Sequence, residues 1–179
     1  EHIFVSDDRE TGIALILVDE NTSQNEIIIV PGACNTITDE EIKSIENVIK
    51  ESEYVLLQLE VNQDANEMVV DMANRYGCKV IVNTAPYSPV TDDFLSKAYM
   101  VTPNEVEAEE LTGIPVSDLQ SAKKAAAYFY DKGVQKVLIT LGSRGVFVSS
   151  DGREEIVPAF KVDAVDTTGA GDAFNGGLL

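Results

Sequence analysis

Short apolar runs alternate with stretches of helical amphipathicity along most of the chain. The apolar runs predict strands at residues 54–59, 79–82, 99–101, 136–141 and 146–149, those at 54–59 and 136–141 being buried. Between them, apolar residues recur at helical spacing and predict helices at residues 62–76, 92–97, 104–112 and 118–132. Strands that alternate with one-faced helices form right-handed βαβ units. The pattern therefore predicts an α/β fold with a doubly wound, mostly parallel sheet flanked by helices.

The first part of the chain has a different pattern. β-branched runs at residues 11–19 and 25–30 flank a polar stretch at residues 20–24, which predicts a β-hairpin or two edge strands of a sheet. Thr38, with Glu41 three residues on, forms a capping-box signature that begins a helix. The apolar face of that helix is predicted to consist of Ile42, Ile45, Val48 and Ile49. A small antiparallel unit therefore precedes the predicted α/β core.

Residues 162–177 combine glycines with a carboxylate at the predicted start of a helix. An apolar, strand-like approach from Val162 leads through residues 166–168 to Gly169-Ala170-Gly171-Asp172. Glycine lets a backbone approach a ligand closely, and the free N–H groups of a helix start bind anions. An acidic residue among such amides fits a base that takes a proton from a hydroxyl while the amides of residues 170–172 stabilise a transferring phosphoryl group. The alternative is a glycine-rich helix start that merely turns the chain.

The stretch DTTGAGDAF, residues 166–174, resembles the C-terminal signature of the ribokinase family of sugar and nucleoside kinases, the PfkB carbohydrate kinases. The resemblance implies ATP-dependent phosphorylation of a sugar hydroxyl, with Asp172 as the base and Gly169, Ala170 and Gly171 in the anion hole. The sequence lacks G-x-x-x-x-G-K-[ST], so this loop is not a P-loop. The resemblance also implies a potassium ion, K⁺, bound through Asp166 and Thr168.

Two acidic positions follow predicted strands, where open α/β sheets bind ligands. Glu60 follows the strand at residues 54–59, and the resemblance assigns it to the sugar; a solvated strand-end charge is the alternative. Asn104 and Glu107 match the N-x-x-E motif of the family, which implies that Glu107 organises Mg²⁺ through water and that Asn104 faces the nucleotide. An asparagine cap with an acidic first turn would stabilise any helix, and both roles are compatible.

The segment Thr140-Leu141-Gly142-Ser143-Arg144-Gly145 follows another predicted strand. The resemblance places its Thr140, Gly142 and Gly145 along the nucleotide. A simple hairpin turn is the alternative, although such a turn needs fewer glycines and no threonine.

Composition narrows the choice of partners and surroundings. Thirty-one acidic against thirteen basic residues give a net charge of −18, which argues against nucleic acid as a partner. The apolar runs are too short for a membrane span, and no basic-then-apolar signal segment is visible. The only histidine is His2, which argues against a histidine triad or zinc site. Two cysteines without metal or disulfide spacing suit the cytoplasm.

The resemblance implies D-ribose as the substrate, converted to D-ribose 5-phosphate, with ATP, Mg²⁺ and K⁺. Another sugar or nucleoside kinase (fructokinase, ketodeoxygluconate kinase or adenosine kinase) and a catalytically silent binding module remain open. Residues 1–35 would form a β lid and hinge through which a homodimer assembles, and residues 36–179 a nucleotide- and phosphate-binding core. The family's chains are longer, so we expect an internal segment of a larger enzyme, inactive by itself.

Overall fold

The computed structural model describes residues 2–18, 25–164 and 166–179. The strands are β1 Ile13–Val18, β2 Asn25–Val30, β3 Tyr54–Leu57, β4 Lys79–Val82, β5 Met100–Val101, β6 Lys136–Thr140, β7 Val146–Ser150 and β8 Arg153–Val157. The helices are α1 Asp39–Ser44, α2 Glu46–Glu51, α3 Gln63–Tyr76, α4 Asp92–Ser96, α5 Glu105–Thr112, α6 Leu119–Asp131 and α7 Ala170–Leu178. Short 3₁₀ turns lie at Gly32–Thr36 and Gly142–Arg144. Among these helices, none is both long and apolar enough to cross a bilayer.

The strands form two separate sheets. β1 and β2 form an antiparallel pair, which confirms the hairpin, although its turn at residues 20–24 lies outside the described residues. The other sheet has the order β3-β4-β5-β6-β7-β8. It is parallel from β3 to β6 and antiparallel from β6 to β8, so the predicted mostly parallel sheet is a mixed one.

Helices lie on both faces of the large sheet. Val80 and Val82 of β4 join the main core, which also takes in buried residues of α1 to α6. Ile81 points to the opposite face, since successive strand residues alternate. There it forms a smaller cluster with Met100 and Leu138, against which α7 packs through Phe174 and Leu178. The helix that carries Asp172 is therefore alone among the described helices in contributing to this second cluster.

Local signals account for most element boundaries. Thr38 and Glu41 form the predicted capping box of α1. Gly77 adopts a left-handed conformation with φ of 76° and ends α3, as predicted. The hairpin between β7 and β8 turns at Asp151 and Gly152, whose φ angles are 53° and 79° and match a two-residue turn of the kind that right-twisted strands favour.

Predictions about three elements were wrong or incomplete. β3 ends at Leu57 rather than residue 59, and it is a sheet edge with one face exposed, so it is not buried. The helix after Thr38 breaks at Ile45, and Val48 is exposed. No strand begins at Val162, which is 77% exposed. The strand β8 lies earlier in the chain, where the turn at Asp151 and Gly152 brings residues 153–157 back along β7.

Candidate active site

Two adjoining cavities lie where the parallel strands end. The larger has a volume of about 1320 Å³ and the smaller about 200 Å³. Gln58, Asn83, Asp172 and Asn175 line both cavities. Gln58 directly follows β3 and Asn83 directly follows β4, so the shared wall is built from strand ends and from α7. Strand ends of open α/β sheets are common ligand sites.

Asp172 is the third residue of α7 and lies on the boundary between the two cavities. Its side chain is exposed, and the side-chain amide of Gln58 donates a hydrogen bond to its Oδ1 at 3.3 Å. Gly169 is the N-cap, with a left-handed φ of 73° that permits the sharp entry into the helix. The carboxylate can therefore reach a molecule in either cavity.

The first-turn amides of α7 differ from one another. Ala170 donates its backbone N–H to the carbonyl of Thr167 at 3.1 Å, so this amide is engaged in a turn. The amides of Gly171 and Asp172 have no acceptor among the described residues. The sequence predicts three amides for the anion hole. Those of Gly171 and Asp172 can donate to an anion, whereas that of Ala170 already donates to Thr167. Gly171 lines the smaller cavity, and a Cβ added to it would meet no atom within 4 Å, so there is open space beside this residue.

Asn104 and Glu107 form a capping box at the start of α5 and both line the smaller cavity. The Asn104 backbone N–H and its side-chain amide donate to the two Glu107 carboxylate oxygens, each at 2.8 Å. Glu107 is buried, and burial raises the pKa of its carboxyl above the ordinary value, against the lowering effect of the Asn104 backbone hydrogen bond. The helix-capping role of Asn104 and Glu107 is thus confirmed, and their position in the smaller cavity is compatible with the predicted roles at the nucleotide and Mg²⁺.

Glu60 lines the smaller cavity together with Asn104 and Glu107, and it is not among the residues that line the larger one. The sequence-based expectation was a sugar contact, whereas the structure places Glu60 beside the predicted nucleotide and magnesium residues. The smaller cavity therefore carries three carboxylates, Glu60, Glu107 and Asp172, and no lysine or arginine from the described part of the chain.

Only part of the predicted nucleotide segment, residues 140–145, lies at the cavities. Thr140 lines the smaller cavity, while Gly142 and Gly145 line neither one. Gly145 has a structural reason to be glycine: its φ is 105°, and a Cβ would lie 2.0 Å from the carbonyl oxygen of Val157. Gly142 has a φ of 54° and open space around it. Arg144, between them, donates to the Glu105 carboxylate and to the Ser117 carbonyl, which ties this segment to α5.

Asp166 and Thr168, the predicted potassium ligands, are hydrogen-bonded to each other. The Thr168 backbone N–H donates to Asp166 Oδ1 at 2.8 Å, and hydrogen bonds from Thr168, the backbone one foremost, hold the pKa of Asp166 below its ordinary value. Thr168 lines the smaller cavity and Asp166 does not. In the described ranges, no three His, Cys, Asp or Glu side chains cluster as metal ligands would.

Sequence reasoning did not nominate four polar residues of the site: Gln58, Asn83, Thr102 and Asn175. All four line the smaller cavity. A signal for the first three was present, because each is a polar residue that directly follows an apolar strand. Asn175 lies within a helix and has no such signal.

Known proteins that are similar to this chain include sugar kinases. The chain is 43% identical over 178 residues to a ribokinase of Haemophilus influenzae, covering 99% of this chain and 58% of that protein. It is 36% identical to a deoxyribokinase of Salmonella typhi, covering 93% of this chain and 54% of that protein. A structure of Arabidopsis thaliana ribokinase complexed with ribose and ATP superposes with a TM-score of 0.80 at 30% identity, covering 94% of this chain and 55% of that one.

The chain therefore spans little more than half the length of these relatives. The sequence profile of the pfkB family carbohydrate kinases matches residues 1–179, the whole of the chain. The mixed six-stranded sheet, the separate two-stranded sheet and the glycine-rich start of α7 agree with this match. The protein belongs to the pfkB family of carbohydrate kinases.

Proposed function

We propose that the full-length protein carrying this sequence transfers a phosphoryl group from ATP to a hydroxyl of a sugar, D-ribose foremost, giving D-ribose 5-phosphate. The observation that carries the proposal is the position of Asp172 between the two cavities, where the backbone amides of Gly171 and Asp172 have no acceptor among the described residues. The larger cavity would hold the sugar and the smaller one the phosphates. A carboxylate at that boundary meets the acceptor hydroxyl and the transferring group at once.

The reaction is a direct displacement at phosphorus. The sugar hydroxyl oxygen forms a bond to the γ-phosphorus of ATP as the bond between that phosphorus and the bridging oxygen of the departing ADP breaks. The hydroxyl proton passes to the Asp172 carboxylate. The amides of Gly171 and Asp172 stabilise charge on the phosphoryl oxygens, which is how most catalysis of phosphoryl transfer is achieved. Gly169 sets the direction in which these amides point.

The charge of the smaller cavity supports a requirement for Mg²⁺. Three carboxylates, and no basic side chain among the described residues, surround a space of about 200 Å³, so a polyphosphate would meet net repulsion there. A divalent cation bound with the nucleotide would supply the missing positive charge. Both Glu107 oxygens already accept hydrogen bonds from Asn104, which fits contact with the ion through water, since each oxygen retains a further lone pair. Asn104 and Thr140 would contact the nucleotide.

Gly142 and Gly145 belong to the proposal in different ways. Gly142 leaves room for a nucleotide at a site next to Thr140, while Gly145 would act by shaping the loop against Val157. Asp166 and Thr168 supply an ionised carboxylate and a hydroxyl for K⁺, and the lowered pKa of Asp166 suits a cation ligand. When bound, K⁺ would offset negative charge next to the anion-binding loop. Glu60, which lines the smaller cavity together with Asp172, would contact the sugar near its acceptor hydroxyl.

The identity of the sugar rests on the relatives. Ribokinases and a deoxyribokinase both match over most of the chain, so 2-deoxyribose is the specific alternative to ribose. We also propose that residues 1–35 act as a lid and hinge on a core at residues 36–179, and that the enzyme works in the cytoplasm.

The exposed apolar faces of the small sheet support a homodimer formed through it. Leu15 lies opposite Ile28 and Ile16 lies opposite Ile27, so these two pairs occupy opposite faces of the sheet. Ile27 lines the smaller cavity, which assigns its face to the site. Leu15 and Ile28, 58% and 50% exposed, occupy the other face. Contiguous exposed apolar surface of this kind marks a contact, and a second copy of the same sheet would cover it.

The decisive experiment measures ATP- and Mg²⁺-dependent phosphorylation by the full-length protein, with ribose and 2-deoxyribose compared and K⁺ added or withheld. Asp172→Ala is run beside the wild type. We expect turnover of ribose that rises with K⁺ and falls by about 10²–10⁴-fold in Asp172→Ala, the usual contribution of a positioned base. Preference for 2-deoxyribose would change the substrate and keep the mechanism. ATP binding without turnover of any sugar or nucleoside would refute the kinase proposal and favour a silent binding module.

A further inference from the structure

Asn175 occupies an unusual position for an amide side chain. It is the residue that α7 buries most completely, at 4% exposure, one helical turn after Asp172. Burying a polar side chain costs free energy unless it is hydrogen-bonded, and an apolar residue would serve packing alone. The presence of an asparagine at this point therefore requires an explanation in its hydrogen bonds.

Those hydrogen bonds connect α7 to two strand ends. Asn175 Nδ2 donates to the Gly171 carbonyl at 2.9 Å, and Asn175 Oδ1 accepts from the Thr102 hydroxyl at 2.8 Å. The Thr102 carbonyl in turn accepts from Asn83 Nδ2 at 2.9 Å. A carbonyl can only accept, so Gly171 fixes which end of the Asn175 amide faces it, and Thr102 must then be the donor to Oδ1. Each donor and acceptor of these hydrogen bonds is therefore assigned in only one way.

The Gly171 carbonyl belongs to the same peptide unit as the Asp172 N–H. A peptide unit is planar, so holding its C=O fixes the direction of its N–H. That N–H is one of the two first-turn amides without an acceptor among the described residues. Asn175 thus holds the orientation of the amide of a residue that lines the smaller cavity, and it anchors that amide to the ends of β4 and β5 through Asn83 and Thr102.

We propose that Asn175, held by Thr102, is a positioning residue that aligns the Asp172 amide and carboxylate with the transferring phosphoryl group. This inference rests on the proposed kinase function. Asn175 acts through the Gly171–Asp172 peptide and does not itself take part in bond making. Thr102 has the supporting role of keeping the Asn175 side chain in one orientation.

The test replaces both partners by apolar residues of similar shape, Asn175→Leu with Thr102→Val, in the full-length protein. Replacing both ends of a buried hydrogen bond with apolar groups is close to neutral for stability. We expect unchanged thermal stability, a KM for sugar close to that of the wild type, and a kcat lower by about 10²-fold, the usual penalty for misplacing catalytic groups. The single variant Thr102→Ser keeps both the hydroxyl and Asn175, so its kcat should be close to that of the wild type.

Asn74→Leu is the matched control. Asn74 also donates from a helix to the carbonyl four residues before it, Val70, at 3.0 Å, but it lines neither cavity. It should leave kcat unchanged. Amide hydrogen exchange of residues 170–179 gives a readout that does not depend on turnover, and it should accelerate in the double variant and not in the control.

A wild-type kcat in the double variant would overturn the positioning role while leaving the kinase function intact. If the wild type phosphorylates no sugar, the proposed function fails instead, and the exchange experiment decides the structural claim alone: unchanged exchange at residues 170–179 would then overturn it.

Discussion

Glu107→Gln separates a helix-capping role from a role at the phosphates. Glu107 forms the capping box of α5 and also lines the smaller cavity. Glutamine has nearly the same shape and can still accept a hydrogen bond from the Asn104 backbone N–H. It has only one acceptor oxygen, so the second hydrogen bond, from Asn104 Nδ2, is lost. The variant therefore removes one hydrogen bond and the negative charge.

The structural cost of this substitution is small. A lost hydrogen bond destabilises by about 1 kcal/mol, and the helix start loses a favourable negative charge of about 0.3–1 kcal/mol. Relief of burying a charged group acts in the opposite direction. A net change of about 1 kcal/mol shifts the Tm of a chain of this size by roughly 2–4 °C. If Glu107 organises Mg²⁺ through water, activity should fall by about 10–100-fold, the usual effect of losing an outer-shell ligand.

The pH dependence gives a second readout. Burial raises the pKa of Glu107 in the folded protein, so the folded state binds this proton more tightly than the unfolded chain does. The stability that this group contributes is present below its unfolded pKa and is lost as pH rises through the raised folded pKa. As pH rises from the unfolded to the folded pKa of Glu107, the stability of Glu107→Gln should therefore improve relative to that of the wild type. Wild-type activity should fall on acidification at a higher pH than an ordinary glutamate would give.

The assay measures kcat, Mg²⁺ dependence and Tm of the full-length protein. The matched control is Asp118→Asn, which also turns a carboxylate into an amide within a capping box, at the start of α6 and away from both cavities. We expect the control to keep its activity, and Glu107→Gln to lose activity and to require more Mg²⁺. Equal activity of the two variants at equal stability would refute the metal role and leave Glu107 as a cap.

Two further predictions concern the anion hole and the lid. Gly171→Ala should leave Tm unchanged or slightly higher, because its Cβ meets no atom within 4 Å and alanine favours helices. Its kcat should fall, because the added methyl group narrows the smaller cavity that Gly171 lines. Unchanged kcat in that variant would argue against phosphate binding there. Leu15→Lys with Ile28→Lys should convert a dimer to a monomer in sedimentation equilibrium, since opposed lysines repel. Persistence of the dimer would place the interface elsewhere.

The sequence predicted local structure well where the signal was local. The capping boxes of α1 and α5, the left-handed end of α3 at Gly77 and the start of α7 at Gly169 depend on residues within one helical turn. The strand β4 and the helix α3 follow from hydrophobic spacing alone. The family motif also nominated Asp172, which the structure places on the boundary between the two cavities.

Predictions failed where long-range pairing decides. β3 has the composition of a buried strand, yet among the described residues it pairs with β4 alone and is partly exposed. Val162 has strand propensity, yet it is exposed and forms no strand, because no strand of the described sheet pairs with it. The nucleotide role of Gly145 stays a prediction, and the structure adds a second reason for glycine there, the approach of Val157. Strand pairing and the approach of Val157 to Gly145 depend on residues that no local window compares.

The amino-acid sequence by itself determined the helices, their caps and the identity of the chemical groups at the start of α7, because those depend on neighbouring residues. Only the tertiary structure decided which groups meet. Gln58 contacts Asp172 across 114 positions, and Thr102 contacts Asn175 across 73. Such contacts arise from the stacking order of the strands and from the face on which α7 packs, and they set the geometry in which the proposed base and amides act.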